Sequence, residues 1–235
     1  MRSAGITTRR MAAELGVDPK TVERWVTRDT VPHRTTAFSA ARLLGSPPAY
    51  LWPVLDSRAT TAENELICFY PHRHLVPRSL WFDLLKSAQR EVVVMAYASL
   101  FLPEDNPESV RLRAEKAASG VRVRMALGDP DSPEVARRGA EEQLDEALAG
   151  RVRMAIAYYR PLLEVDSLDF RLHRTTLYNS VFVYDDEMLV NLHAYGVYGY
   201  LAPILHLRRA GEGGLFDMYA ESLERVWGHA YPCPR

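Results

Sequence analysis

The sequence predicts an α/β main domain, a mixed sheet with helices on both faces, behind a small all-α N-terminal domain. Three observations predict it. Residues 1–55 show helical periodicity punctuated by Gly16 and Gly45. From residue 65 onward, strand-like apolar runs alternate with stretches of helical spacing. The charge also divides. Residues 1–58 hold nine Lys/Arg against five Asp/Glu, a net of +4, and the remainder carries −5. A basic head on an acidic body directs polyanions to the head alone.

In the head, T-T-R-R-M-A-A-E-L-G reads as a helix with Thr7 or Thr8 as its N-cap and Gly16 as its stop. The chain restarts at V-D-P-K-T-V-E-R-W-V, where Asp18 caps and Pro19 suits the first helical position. A third helix spans about residues 35–44. S-P-P-A-Y-L-W-P closes the unit, and the polar residues 56–64 form a linker to a body over 65–235. The body begins with a strand at 65–71, a helix at 79–89 and a buried strand at 91–97, the last identified by its unbroken Val run. A helix at 106–120, a strand at 121–128 and a helix at 132–150 follow. Residues 152–159 fit strand or helix. Strands at 168–173, 178–185 and 188–195 precede a closing amphipathic helix at 215–227.

The 235 residues, 47% apolar and 25% charged, suit a globular chain of one or two domains. Two distant cysteines, Cys68 and Cys233, offer no zinc spacing and read as reduced thiols. No metal and no cofactor is expected. The start lacks a signal-peptide pattern, and the longest apolar run, 92–102, is too short to span a bilayer. The expectation is a cytoplasmic protein, nucleoid-associated when bound to DNA, with no membrane partner.

Two short helices joined by a turn at a glycine have helix-turn-helix geometry. The second helix of such a motif enters the major groove by its N-terminal end. Here that end presents Lys20, Thr21, Glu23 and Arg24, with Arg28, His33 and Arg34 beyond it for phosphates. The stretch M-A-A-E-L-G-V-D-P-K-T-V-E-R-W, with V-P seven residues on, resembles the Cro/repressor, Xre-type helix-turn-helix family over residues 7–52. That resemblance implies binding to double-stranded DNA. The family has a full helix before the motif, where this sequence has only M-R-S-A-G-I.

The body's order of elements, with G-V-R-V-R-M-A-L-G-D and a late histidine strand, resembles one half of the phospholipase D-like fold over about residues 65–195. In that family each half supplies H-x-K-x4-D for phosphodiester chemistry. Aligned on R-L-H-R-T-T-L-Y-N-S, those positions hold His173, Thr175 and Ser180. The lysine and the acid are missing, and a hydroxyl does not offset developing phosphoryl charge as a fixed cation does. The expectation is therefore a catalytically inactive relative, a phosphodiesterase through His173 being the alternative. What remains is a set of polar groups: Arg124, Asp129, Asp131, His173, Asn179, Asn191 and His193. They either line a ligand pocket or satisfy one another in the core. Tyr158, Tyr159, Tyr178, Tyr195, Tyr198 and Tyr200 either join that pocket or serve as core and interface aromatics.

The whole chain is also similar to actinobacterial Xre-type regulators with a C-terminal domain, through Y-L-W-P, L-G-D-P-D-S, H-R-T-T-L-Y-N-S, D-D-E-M-L-V-N and R-V-W. This implies transcriptional regulation and names no ligand. The expected partners are double-stranded DNA, a second copy of the chain in a homodimer, and a small-molecule effector.

Overall fold

The computed structural model describes residues 6–28, 30–54 and 65–234. The side chains of residues 34 and 49 are outside that description, as is the expected linker at 56–64. The chain divides into two compact units, Met1–Glu63 and Asn64–Arg235.

In the first unit α1 is Thr8–Leu15, α2 is Pro19–Thr27, α3 is Arg34–Leu44 and α4 is Pro48–Leu51. Thr7 caps α1, its hydroxyl accepting from the Arg10 amide at 3.3 Å. Asp18 caps α2, its carboxylate accepting from the Lys20 amide at 2.7 Å. Gly16 sits between the two helices at φ 65°, the left-handed conformation a side chain disfavours, so the chain turns there. Met11, Ala12 and Val22 are buried together, with Leu15, Trp25 and Leu44 packed around them.

The second unit is built on one sheet of eight strands: β1 Leu66–Tyr70, β2 Glu91–Ala96, β3 Arg122–Gly128, β4 Leu168–His173, β5 Asn179–Tyr184, β6 Glu187–Leu192, β7 Ile204–Arg208 and β8 Tyr231–Pro232. Their order is β1-β7-β6-β5-β2-β3-β4-β8. β2, β3 and β4 run parallel to one another, whereas β2 is antiparallel to β5. A parallel half therefore meets an antiparallel meander at the β5–β2 seam. Successive residues of β2 point to opposite faces. Val92, Val94 and Ala96 join one core, and Val93 and Met95 join the other. Helices cover both faces. α5 (Arg78–Ser87) and α7 (Glu108–Ala118) pack on the first core, α10 (Leu215–His229) on the second, and α9 (Glu146–Tyr159) contributes to both.

Several details differ from the sequence expectation. The helix expected over 132–150 is two helices, α8 (Pro133–Glu141) and α9. Gly139 permits the break: a Cβ there would lie 2.2 Å from the Asp145 carbonyl oxygen, so the turn folds back onto α8 only over a bare backbone. Residues 152–159 are helical, with Val152, Ala155 and Tyr159 buried at helical spacing. Five short or mixed elements escape the sequence reading, one of them the 3-10 turn Arg160–Glu164 that follows α9. α6 (Phe101–Asp105) is five residues long and a 3-10 turn covers Arg73–Leu75. β7 carries a buried histidine, His206, bonded to Glu187 at 2.7 Å, and β8 is two residues long. Cys68 and Cys233 are free thiols.

Candidate functional site

On α2 the side chains of Lys20, Glu23 and Arg24 are exposed, and Arg28 is exposed at its C-terminal end. Thr21 is half-buried, and its hydroxyl accepts from the Arg24 guanidinium at 3.2 Å. That bond holds Arg24 along the helix surface. His33 is exposed with Nδ1 3.2 Å from the Thr35 hydroxyl. Val22 is fully buried, so packing fixes which face of α2 looks outward.

An open cavity of about 580 Å³ lies at the β5–β2 seam, where β2 ends and α6 begins. Trp81, Phe101 and Phe182 form one wall, their rings edge-to-face with centroids 4.9–5.9 Å apart. Arg73 enters from the 3-10 turn after β1. That turn is pinned to the segment after β6: the Arg73 amide donates to Ala202 at 2.8 Å, and His74 stacks on Tyr200 at 4.7 Å. The Arg73 guanidinium lies 4.1 Å from the centroid of Phe101 and makes no hydrogen bond or ion pair among the described residues. Burial, together with the positive charge of Arg151, lowers its pKa to about 10, so it remains a cation at neutral pH. Arg138, by contrast, is held by Glu142 at 2.6 Å and by the Val197 carbonyl at 3.1 Å. Ser99, on the loop out of β2, is buried at φ 53°, and its hydroxyl has no hydrogen-bond partner among the described residues.

Of the seven polar residues singled out from sequence, Asn191 lines this cavity and His193 stands directly behind its wall. Arg124 lies towards the start of β3, paired with Glu91 at 2.9 Å and Glu224 at 2.6 Å. Asp129 accepts from Tyr231 at 2.6 Å, Arg174 at 2.7 Å and the Asp131 amide at 2.9 Å. Burial pushes its pKa up, but these bonds outweigh it and hold the carboxyl below its usual range. Asp131 is exposed and pairs with Arg153 at 2.6 Å. Asn179 is half-buried at the start of β5. Of the tyrosines, Tyr198 and Tyr200 line the cavity, Tyr159 is a core residue, and Tyr178 and Tyr195 are largely exposed.

His173 ends β4 and is 1% exposed. One ring nitrogen lies 3.2 Å from the Ala96 carbonyl and the other accepts from the Thr175 amide at 3.4 Å. Neither nitrogen is open to a substrate. The aligned H-x-K-x4-D positions are also split between elements, with His173 on β4, Thr175 in a loop and Ser180 on β5. The same spacing runs through Tyr178, Ser180 and Asp185, again without imidazole or lysine. Asp185 is occupied by the amides of Gln89, Arg90 and Glu91 at 2.7–2.8 Å.

Ser180 and His193 form a hydrogen-bonded pair. Ser180 Oγ is 3.0 Å from Nε2, and Nδ1 is 3.2 Å from the Leu177 carbonyl. Since Nδ1–H must donate to that carbonyl, Nε2 accepts from the serine. Burial, reinforced by the charge of Arg138, lowers the histidine pKa to about 4. So weak a base draws little on a serine proton, since a general base works best near the operating pH. The pair is a satisfied polar wall of the cavity.

Sequence reasoning missed Arg73, Ser99 and Arg151. Arg73 belongs to no regular element, and Ser99 signals itself only through its backbone angle. Among the described residues no group of three His, Cys, Asp or Glu is placed to hold a metal ion, and no helix is long and apolar enough to cross a membrane.

No protein-family model matches the chain, and no curated protein matches it. Solved structures overlap with it in part, among them two named proteins. One is TrmBL2, an archaeal chromatin protein described for its mode of DNA binding. It is 14% identical over 91% of this chain and 69% of its own, at a TM-score of 0.42. The other is a phosphatidylserine synthase of Haemophilus influenzae Rd KW20, 15% identical over 70% of this chain, at a TM-score of 0.45. This chain spans only 39% of the synthase. Overlaps this shallow fix neither a ligand nor a reaction.

Proposed function

We propose that the chain is a DNA-binding transcriptional regulator: residues 1–55 form a helix-turn-helix head, and the body forms a homodimer and senses a small molecule. The observation that carries this reading is the geometry of α1 and α2. A left-handed glycine separates two capped helices, and packing of Val22 turns Lys20, Glu23, Arg24 and Arg28 outward in a segment of net +4. In this reading Arg24 and Lys20 meet base edges, and Arg28, His33 and Arg34 meet phosphates. Dimerisation follows from the same chemistry, because paired heads on half-sites one helical turn apart multiply a specificity that one head lacks. The cavity is the effector site.

The competing reading is a phosphodiesterase through His173. Both of that residue's ring nitrogens are engaged, which supports the non-catalytic reading. The test is binding of the full chain to duplex DNA across a salt series, with DNA integrity followed in parallel. The regulator reading expects affinity to fall linearly in log–log form. Arg24→Gln is expected to weaken binding about tenfold and to reduce the slope by roughly one if Arg24 also touches phosphate. Salt-independent or absent binding overturns the reading, as does cleavage that His173→Ala abolishes. Light scattering at twice the mass of one chain is expected for the dimer.

A further inference from the structure

We propose that the cavity at the β5–β2 seam binds a small organic oxyanion, a phosphomonoester or carboxylate, its charged head between Arg73 and Arg151 and its flat apolar body against Trp81, Phe101 and Phe182. The proposal deepens the reading of the body as a sensor and rests on it.

Three observations converge. The first is unmatched positive charge. The lining contains Arg73, Arg78, Arg138 and Arg151 against Glu104, Asp105 and Glu142. Arg138 is neutralised by Glu142 and Arg78 lies 3.5 Å from Asp105. Arg73 and Arg151 both line the cavity without an ion pair among the described residues; burial first, and then the charge of Arg151, lowers the Arg73 pKa, while Asp105 and Glu142 raise it without forming an ion pair with it. Keeping the Arg73 guanidinium largely out of water with a second cation, Arg151, on the same cavity lining is unfavourable unless an anion joins them. A bidentate oxyanion satisfies both at once, which a neutral ligand does not.

The second observation is Ser99. A buried hydroxyl without a partner loses hydrogen-bond energy, and a non-glycine residue at φ 53° carries backbone strain. Both features occur on one residue, and that residue lines the cavity. Turned about χ1 towards the cavity, this hydroxyl would take a ligand oxygen as its missing partner. The third is the opposite wall. Trp81, Phe101 and Phe182 present an apolar surface next to the cations, and about 580 Å³ suits a small molecule rather than a free inorganic ion. Charge at one side and aromatic surface at the other select an amphipathic anion.

Titration of the full chain with phenyl phosphate, inorganic phosphate, benzoate and benzyl alcohol, read by calorimetry, tests this. Phenyl phosphate or benzoate is expected to bind at least tenfold more tightly than benzyl alcohol, and phenyl phosphate more tightly than inorganic phosphate. Whichever of the two aromatic anions binds better identifies the head group. Arg73→Gln and Arg151→Gln are each expected to weaken that anion at least tenfold. Arg73→Lys, which keeps the charge and loses the planar fork, should fall between wild type and Arg73→Gln. Equal binding of benzyl alcohol overturns the proposal, as do absence of anion binding at millimolar concentration and indifference to the arginine substitutions. DNA affinity measured with and without saturating anion separates the two levels. Anion binding that leaves DNA affinity unchanged overturns the sensor reading alone. Intact DNA binding without anion binding overturns the cavity proposal alone.

Discussion

The sheet of the second unit has two polar regions, and they differ in what their groups are bonded to. At the two ends of β3 each charge meets its opposite within the chain: Arg124 meets Glu91 and Glu224 at one end, and Asp129 meets Arg174, and accepts from the Tyr231 hydroxyl, at the other. Around the cavity, Arg73, Arg151 and the Ser99 hydroxyl are without such partners among the described residues. The first set of charges is the more conspicuous in sequence. The second has the greater unused bonding capacity, since in the first the Arg124 Nε is left without a hydrogen-bond partner but its other two nitrogens are in ion pairs. Polar residues in an α/β body therefore mark a ligand site only when the fold leaves them unanswered.

Substitutions that reverse this contrast are its sharpest tests. Among the substitutions the largest effect is expected from Arg124→Met, which leaves Glu224 without its ion-pair partner and Glu91 with only Arg122, 3.6 Å away. With both carboxylates partly in solvent, a loss of about 2–3 kcal/mol is expected from urea denaturation, below the 3–5 typical of a fully buried pair. No measurable loss would mean that the well-paired region is ornamental, and the contrast fails.

Acidification comes next. His193 titrates near 6.5 when unfolded and near 4 when folded, so between those values the unfolded chain binds the extra proton. Stability is expected to fall as pH drops from about 6.5 to about 4, by up to roughly 3 kcal/mol from this group. His173, lowered in the same direction by burial, adds to it. The depressed carboxylates, Asp129 among them, act at lower pH, below their unfolded values. His193→Gln should flatten the pH profile in this window. A variant profile as steep as wild type would place the proton-linked loss elsewhere.

The smallest effect has the opposite sign. Arg73→Met removes a cation that lacks an anionic partner and keeps apolar contact with Phe101. It is expected to leave stability unchanged or to raise it by about 1 kcal/mol. A loss comparable to that of Arg124→Met would show Arg73 to be a structural residue and erase the distinction.

The legible parts of the fold were those with a strong local period. The Val run of β2, the caps at Thr7 and Asp18 and the closing helix α10 all follow from spacing or capping chemistry. The break between α8 and α9 escaped because it depends on how closely Asp145 approaches Gly139. β7 escaped because His206 interrupts its apolar pattern, and only the distant Glu187 makes burial of that ring acceptable. The site was less legible than the fold. His173 looked like chemistry and is a core residue, whereas Arg73 came from a three-residue turn with no pattern. What distinguishes them is hydrogen-bond partnership, a tertiary property that spacing along the chain does not encode.

The pairing of β1 with β7 bears on how the molecule is made. Leu66 registers with Leu207, so the body's first strand finds its neighbour only after nearly the whole body has left the ribosome. The head needs no such wait, since α1, α2 and α3 meet within forty-four residues. Leu66, Ile67 and Phe69 stay exposed even in the finished sheet, where β1 is an edge strand, and before β7 arrives both sides of that segment are open to other chains. During synthesis the first unit can therefore be complete while the second is still a vulnerable, half-built sheet.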